Sequence, residues 1–216
     1  MSLIPKAMHK VNRKYVSPAA IRVVEKLRAA NFEGYIVGGA VRDLILGGKP
    51  KDFDVATNAT PEEIKGLFRS ARIIGRRFQI VHVRDGREII EVTTYRGPHV
   101  SEGPSKSASK QSDKGLLLRD NVYGTLAEDA ARRDLTINAM YYNPIDESVL
   151  DQMDGHQDIN ARLVRILGDP QTRYREDPVR MLRVVRFAAK LQFDIESETE
   201  SAISACGPLL AEIPPA

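Results

Sequence analysis

Two acidic residues in the stretch KPKDFDVAT, residues 49–57, have the type and spacing needed to bind a divalent cation. Alternate side chains of an extended strand point to the same face, so Asp52 and Asp54 share one face while Phe53 and Val55 share the other. Like charges on one face repel each other, and aspartate is a poor strand former. The pair therefore predicts a compensating partner, either a divalent cation or a group of basic side chains.

A glycine pair precedes these aspartates by one short helix. Residues 35–37 predict a strand and residues 40–46 a helix, which places Gly38 and Gly39 in the turn between them. Glycines at a helix start let backbone amides approach an anion, because no side chain stands in the way. A plain strand-to-helix turn is the alternative for the glycine pair alone. Twelve residues separate it from Asp52, and the combination predicts a phosphate cradle beside a metal-binding carboxylate pair.

Composition limits the class of protein. With 42% hydrophobic and 28% charged residues, the 216-residue chain is predicted to fold as a globular protein rather than to be disordered. The net charge of +3 permits a polyanionic partner without requiring one. One cysteine, Cys206, cannot form an internal disulfide, and no apolar stretch is long enough to span a bilayer. We therefore expect a cytoplasmic protein without a membrane segment.

The remaining elements follow from periodicity, capping and turn signals. Residues 1–16 are predicted to be irregular, residues 97–115 to form a mobile loop, and residues 134–142 to be either helix or strand. Strands are predicted at 52–55, 73–74, 79–83 and 88–95, and helices at 18–30, 61–68, 127–133, 178–191 and from about 196. After the turn at Asn143 and Pro144 the chain is predicted to be mainly helical.

Three ordered motifs carry a resemblance to a known family. The runs VGGAVRD and KDFDV resemble the polymerase-β-like nucleotidyltransferases. GGAVRD, RRDLTINAM at 132–140 and REDPVRMLRVVRF at 175–187 are similar to motifs of the bacterial poly(A) polymerases and of their relatives, the CCA-adding tRNA nucleotidyltransferases. The resemblance covers residues 35–190 and implies an α+β fold, with a mixed sheet and flanking helices followed by a helical neck.

The same resemblance implies a division of the chain. It comprises an N-terminal extension and helix at 1–34, a catalytic head at 35–150 and a helical neck at 151–216. In such families the neck begins a helical RNA-binding region, which we expect to be incomplete in this chain.

The resemblance also implies the chemistry. Such enzymes transfer a nucleotide from ATP to an RNA 3′ end and use two Mg²⁺ ions held by carboxylates, a role that Asp52 and Asp54 match. A third carboxylate often completes the site. Asp134 is favoured by the resemblance, whereas Glu91 lies on a strand position that could face the aspartates.

Basic residues in two of the motifs are candidates for binding the nucleotide. Arg42 follows the glycine pair closely enough to reach a triphosphate, and Asp43 could orient it. Arg132 and Arg133 are adjacent and point in different directions on a helix, so one could contact ribose or phosphate while the other pairs with a neighbouring acid. A surface position is the alternative for Arg42, and the individual roles of Arg132 and Arg133 stay open.

The third motif is a candidate for reading a base. Asp177 and Arg180 are three residues apart and share a helix face, and the resemblance assigns the pair to selection of the incoming nucleotide without a template. A carboxylate can accept from N6 of adenine and a guanidinium can donate to N1. Asp177 is also a helix-capping candidate. Further along, Arg183 is a nucleotide candidate, and Arg186 and Lys190 are candidates for RNA contact.

Several stretches favour poly(A) polymerase over a CCA-adding enzyme, among them IIGRRFQIVHV at 73–83 and LLLRDNVYGTLAEDAARRD at 116–134. The expected function is addition of AMP from ATP to RNA 3′ ends. CCA addition is the main alternative, and an inactive RNA-binding module is a minor one.

Overall fold

An eight-stranded mixed sheet lies at the centre of the protein. The computed structural model describes residues 2–75, 79–97, 109–111, 117–120 and 122–213. The strands are β1 (Ser2–Ile4), β2 (Tyr35–Val37), β3 (Asp54–Thr57), β4 (Ala71–Ile74), β5 (Ile80–Asp85), β6 (Glu88–Thr94), β7 (Ser109–Gln111), β8 (Leu117–Asp120), β9 (Met140–Asn143), β10 (Ser148–Asp151), β11 (Leu163–Val164) and β12 (Asp194–Ile195).

The strand order of the large sheet is β1-β10-β9-β2-β3-β6-β5-β4. β3 and β6 pair in parallel, and the other neighbours in this sheet pair antiparallel. Two small sheets join β7 to β8 and β11 to β12. The central strands β2, β3 and β6 therefore lie side by side, although 33 residues separate Asp54 in β3 from Glu88 in β6.

Several of the eight described helices begin after a residue whose side chain caps them. The eight are α1 (Pro18–Ala29), α2 (Gly39–Ile45), α3 (Pro61–Leu67), α4 (Leu126–Arg132), α5 (Gly155–Ala161), α6 (Pro170–Glu176), α7 (Val179–Leu191) and α8 (Ser197–Cys206). Ser17 caps α1 by accepting hydrogen bonds from two backbone amides. Thr60 with Glu63, and Thr125 with Glu128, form reciprocal capping boxes at α3 and α4.

The two faces of the sheet are covered differently. One face carries the larger core, in which Val23 and Leu27 of α1 and Leu44 of α2 pack with Ile36 and Val55 of the sheet. The other face carries a smaller apolar cluster of Val37, Ala56, Tyr95, Ala130, Tyr141 and Leu150. Asp54 and Ala56 are two residues apart in β3 and point to this second face. The smaller cluster leaves room there for polar side chains.

The structure confirms the mixed α+β fold and most predicted elements, including α1, β2, the capping boxes and the β5–β6 hairpin. Three predictions were wrong. Residues 1–16 are not irregular throughout, because β1 pairs with β10. The strand predicted at 52–55 is Asp54–Thr57 in the structure, so Asp52 lies before β3. The region after 144 is mainly helical, as predicted, although it also contains the missed strand β10. Residues 109–111 form β7, whereas the rest of the predicted loop at 98–108 and 112–115 lies outside the described residues.

Residues 134–142, for which helix and strand were both open, contain a 3-10 turn followed by β9. Within the described ranges, every helix is too short or too polar to span a bilayer.

Two isoleucines test the position of the core. Ile36 is fully buried, while Ile89 is 54% exposed on the same sheet. We expect Ile36→Ala to lower the free energy of unfolding by about 2–5 kcal/mol, because it removes buried methyl groups and leaves a cavity. Ile89→Ala is the matched control, with an expected loss below about 1 kcal/mol. Urea denaturation of both variants measures the difference, and equal losses would contradict this assignment of the core.

Candidate active site

The strand register brings the glycine turn and two carboxylates together. Val37 is opposite Asp54 in the β2–β3 pair, and Asp54 is opposite Glu91 in the β3–β6 pair. Gly38 follows Val37 with a φ of 78°, a conformation that favours glycine. A β-carbon placed on Gly38 would lie 3.8 Å from Oδ2 of Asp54 and 3.8 Å from Nη1 of Arg133. The predicted proximity of the turn to the aspartate strand is present in the structure.

The electrostatic environment of Asp54 reflects a surplus of negative charge. Burial raises the pKa of Asp54, and the charges of Glu91 and Asp52 raise it further, while Arg133 opposes them, with a net pKa of about 6. Side chains at Asp52 and Glu91 are exposed, whereas Asp54 is partly buried between them. A positive charge at this position would lower the pKa of Asp54 and favour its ionised form.

These carboxylates fit a Mg²⁺ ion by their chemistry, since Mg²⁺ prefers oxygen ligands. In the part of the chain that the structure describes, no three His, Cys, Asp or Glu side chains are arranged to enclose a metal ion on their own. Mg²⁺ is usually bound through one or two carboxylates together with substrate phosphates, rather than by an all-protein cage. Asp52 and Asp54 beside an anion-binding turn match that arrangement.

The two candidates for a third carboxylate occupy different environments. Glu91 is the register partner of Asp54, and its Oε1 lies 3.4 Å from Nε2 of His82 on β5. Asp134 forms an ion pair with Arg183, with 2.6 Å between Oδ2 and Nη2. Burial alone would raise the pKa of Asp134, but Arg183 and the hydrogen bond from Asn138 lower it. The geometry therefore favours Glu91 over Asp134 as the third acid beside Asp54.

Arg42 is buried within the protein. Its Nε and Nη2 donate to Oδ1 of Asp43 at 2.8 and 2.6 Å, and its Nη1 donates to Oδ1 of Asn138 at 2.7 Å. The guanidinium carbon also lies 4.7 Å from the centre of the Phe187 ring in α7. With 3% of its surface exposed, Arg42 joins α2 to α7 and to the 3-10 turn. From this buried position the side chain of Arg42 stabilises the glycine turn.

Arg133 points towards the carboxylates and is held in place. Its Nη2 donates to Oδ2 of Asp129 at 2.9 Å, and its Nε donates to the Tyr141 hydroxyl at 3.0 Å. Burial opposes the charged form, but Tyr141 and Asp129 outweigh it and raise the pKa of Arg133. The Tyr141 hydroxyl in turn donates to Asp129 at 2.6 Å. This network fixes a permanent positive charge near Gly38 and Asp54.

Guanidinium groups crowd the end of α4. Burial and then the charges of Arg96, Arg173 and Arg180 lower the pKa of Arg132 to about 10. Arg173 also donates to the backbone carbonyls of Arg132 and Arg133, at 2.6 and 2.8 Å. Clustered positive charge of this kind stabilises a bound phosphate.

A cavity of about 350 Å³ contains four of the nine predicted nucleotide-binding residues. It is lined by Arg133, Asp134, Asp177, Val179, Arg180 and Arg183. The structure thus brings together side chains from two motifs, of which Asp134 and Asp177 are 43 positions apart in the sequence. Because Arg133 also faces Asp54, the cavity lies next to the carboxylates.

The predicted base-reading pair lies on the wall of this cavity. Oδ1 of Asp177 accepts a hydrogen bond from the amide of Val179 at 3.2 Å, so Asp177 does cap α7. Among the described residues no group donates to the second oxygen of Asp177, which can therefore accept a hydrogen bond from a ligand. Nη1 of Arg180 donates to Oε2 of Glu176 at 3.0 Å. The same Glu176 oxygen accepts from Arg173 at 2.8 Å. Glu176 therefore fixes the direction of Arg180.

Arg186 and Lys190 are exposed on α7 beyond the cavity, where they can meet solvent or a polyanion. Sequence reasoning missed Arg173, Glu176 and Asn138, which orient the candidate residues. Glu176 directly precedes Asp177 in the third motif, and this adjacency was the available signal. The roles of Arg173 and Asn138 depend on contacts across at least 40 residues of sequence, which no local pattern reveals.

Comparison with known proteins agrees with this geometry. The profile of the family described as "Poly A polymerase head domain" matches residues 34–165. This segment contains the glycine turn, the candidate acids Asp52, Asp54 and Glu91, and the Arg132–Arg133–Asp134 motif. The chain belongs to the poly(A) polymerase head domain family.

Individual relatives divide between two named activities. Poly(A) polymerase I of Salmonella typhimurium (strain LT2) is 51% identical over 216 residues, which is 100% of this chain and 46% of the relative. The CCA-adding enzyme of Lactobacillus gasseri is 38% identical over 204 residues, or 94% of this chain and 48% of the relative.

Among solved structures, the CCA-adding enzyme of Bacillus stearothermophilus in complex with CTP has a TM-score of 0.77 and 33% identity. The match covers 92% of this chain and 46% of that one. The chain spans about half the length of the relatives it matches.

The raised pKa of Asp54 predicts a pH-dependent stability without metal. Because its folded pKa of about 6 exceeds the usual 3.8, the folded state binds more protons between these values, and the contribution of Asp54 to stability falls as pH rises through them. We expect Asp54→Asn to stabilise the metal-free protein at pH 8 by roughly 1–2 kcal/mol and to have little effect near pH 4. Urea denaturation across this pH range in the presence of a chelator gives the measurement.

Exposed Asp194 supplies the matched control, since Asp194→Asn removes one acidic charge far along the chain. The pH profile of its stability should parallel that of the unsubstituted protein. A constant effect of Asp54→Asn at all pH values would contradict the proposed crowding of carboxylates.

Proposed function

We propose that the protein adds AMP from ATP to RNA 3′ ends without a template and releases pyrophosphate. The observation that carries the proposal is the placement of Asp54 between Glu91 and the Gly38 turn, next to a cavity lined by Asp177 and Arg180. The 51% identity to a poly(A) polymerase I, against 38% to a CCA-adding enzyme, supports ATP as the repeated substrate. Cytoplasmic location stays a prediction.

The carboxylates hold the reacting groups. Asp52, Asp54 and Glu91 would bind two Mg²⁺ ions, which when bound make the 3′-hydroxyl more acidic and offset charge on the triphosphate. The amides at the start of α2, opened by Gly38 and Gly39, point at the phosphates. The 3′-oxygen attacks the α-phosphorus, the bond to the bridging oxygen breaks, and pyrophosphate leaves with that electron pair. The hydroxyl proton passes to solvent or to a nearby carboxylate.

Arginines complete the binding of the triphosphate. Arg133 is oriented by Asp129 and Tyr141, and it lies close enough to Gly38 to contact the phosphates. Arg132 contributes positive charge from the end of α4. Since Arg42 is buried against Asn138 and Phe187, we assign it to positioning the glycine turn, with Asp43 as its partner.

The cavity would receive the adenine base. The second carboxylate oxygen of Asp177 can accept from N6, and the guanidinium of Arg180 can donate to N1. Glu176 restrains Arg180 and so limits the positions that its donors can take. Arg183 is 47% exposed and paired with Asp134, and both lie at the side of the cavity. Arg186 and Lys190 extend this basic side towards RNA.

CCA addition is the second candidate, because the Bacillus stearothermophilus neighbour was solved with CTP. A CCA-adding enzyme accepts both CTP and ATP and then stops, whereas a poly(A) polymerase adds AMP repeatedly.

The choice of nucleotide and primer separates the two candidates. We expect the full-length protein, given labelled ATP or CTP, to build long A tails on both a generic RNA and a tRNA lacking its CCA end. The reason is that recognition of adenine by Asp177 and Arg180 does not depend on the primer. Product lengths on a denaturing gel provide the readout. Incorporation of CMP restricted to the tRNA would replace poly(A) addition with CCA addition.

Two substitutions assign the third carboxylate. We expect Glu91→Gln to lower kcat for AMP addition by roughly 100-fold or more, because it removes a negative oxygen beside the metal-binding aspartates. Asp134→Asn should instead raise the KM for ATP by about 10-fold, since loss of the ion pair releases Arg183 at the cavity wall. Steady-state kinetics with a fixed RNA primer distinguish the two effects. The reverse pattern would make Asp134 the third acid.

A further inference from the structure

An aromatic side chain contacts two lysines at the surface, one of which, Lys49, lies three residues before Asp52. The Nζ atom of Lys14 is 4.9 Å from the centre of the Tyr15 ring, and the Nζ atom of Lys49 is 5.3 Å from it. Tyr15 is 38% exposed, and both lysines are exposed. We call Lys14, Tyr15 and Lys49 the Tyr15 platform.

The platform carries positive charge that the protein leaves largely uncompensated. Lys51 adds a further exposed ammonium group two residues after Lys49. Among the described residues, no carboxylate forms an ion pair with Lys14, Lys49 or Lys51, whereas the neighbouring Arg13 pairs with Glu25 at 3.5 Å. Exposed lysines without acidic partners attract a polyanion more strongly than paired ones do.

Chain connectivity and one hydrogen bond place the platform at the end of the sheet that carries the carboxylates. Lys49 precedes Asp52 by three residues, which span at most about 11 Å even when fully extended. The hydroxyl of Ser17, two residues after Tyr15, donates to Oε2 of Glu88 at 2.5 Å. Glu88 begins the strand that carries Glu91, and it points to the α1 face of the sheet, opposite to Glu91. The platform therefore lies within a few nucleotides' reach of the carboxylates.

We propose that the Tyr15 platform binds the single-stranded RNA just upstream of the 3′ end that is extended. One base stacks on the Tyr15 ring, and the ammonium groups of Lys14 and Lys49 contact the adjoining phosphates. Stacking of a base on an aromatic ring is stronger than an exposed cation–π contact, so a base can displace the lysines from the ring. The inference rests on the proposed function, because it takes RNA as the substrate.

This contact would not read sequence, since every base has a π-face. Lys14 and Tyr15 lie on the N-terminal segment, before the region that the family profile matches at residues 34–165, whereas Lys49 lies within that region. The platform would thus form a contact with the RNA primer that is separate from the contacts of the basic residues of α7.

The test uses the full-length protein and a fluorescently labelled oligo(A) RNA, with binding followed by anisotropy in the absence of ATP. We expect Tyr15→Ala to weaken RNA binding about 5- to 100-fold, and Tyr15→Phe to retain binding close to that of the unsubstituted protein.

The double variant Lys14→Ala/Lys49→Ala should reduce the slope of log K against log salt by about 1.4, because two phosphate contacts are lost. In primer extension, Tyr15→Ala should raise the KM for RNA and not the KM for ATP.

Lys26→Ala provides the matched control. Its Nζ lies 4.9 Å from the Phe68 ring, so this variant also removes one lysine and one cation–π contact, at a different site. Its RNA affinity should be unchanged. Normal RNA binding by Tyr15→Ala, or equal weakening by Tyr15→Ala, Tyr15→Phe and Lys26→Ala, would overturn the inference. If the unsubstituted protein extended no RNA with ATP, the proposed function would fail instead, which the extension assay shows separately.

Discussion

The parallel pairing of β3 with β6 is the constraint on which the candidate site depends. It sets Glu91 directly beside Asp54, while the antiparallel pairing with β2 sets the Gly38 turn on the other side. Burial of Asp54 disfavours its charged form, and repulsion from Glu91 on the neighbouring strand adds to this cost, which is why the pKa of Asp54 rises to about 6. The larger core on the opposite face stabilises the register against this repulsion. The fold therefore holds together a group of acids that is most stable when a cation lies among them.

The second part of the site depends on buried arginines. Arg133 is fixed by Asp129 and Tyr141 and faces the carboxylates, so it joins them to the cavity that Asp177 and Arg180 line. Arg173 binds the backbone of the same turn and shares Glu176 with Arg180. A displacement of α6 or α7 would thus move Asp177, Arg180 and the turn of Arg133 together. This coupling gives a physical reason for the three sequence motifs to occur together in one chain.

Local signals predicted much of this arrangement from the sequence. Caps at Ser17, Thr60 and Thr125 located three helix starts, and the glycine turn and the Asp85–Gly86 hairpin were found where the structure has them. The missed strands β1 and β10 pair with each other across more than 140 residues, and such pairing leaves no local pattern. For the third acid the resemblance favoured Asp134, and only the strand register distinguishes Glu91. The burial of Arg42 was likewise invisible, because it depends on Asn138 and Phe187.

The most direct test of the central claim is a crystal structure of the full-length protein with Mn²⁺ and a non-hydrolysable ATP analogue, read by anomalous diffraction. We predict an anomalous peak that marks a Mn²⁺ ion bound by Asp52 and Asp54. The phosphates should accept hydrogen bonds from the backbone amides that follow Gly38, and the adenine should contact Asp177 and Arg180. A metal bound elsewhere, or a triphosphate that does not contact the glycine turn, would contradict the central claim.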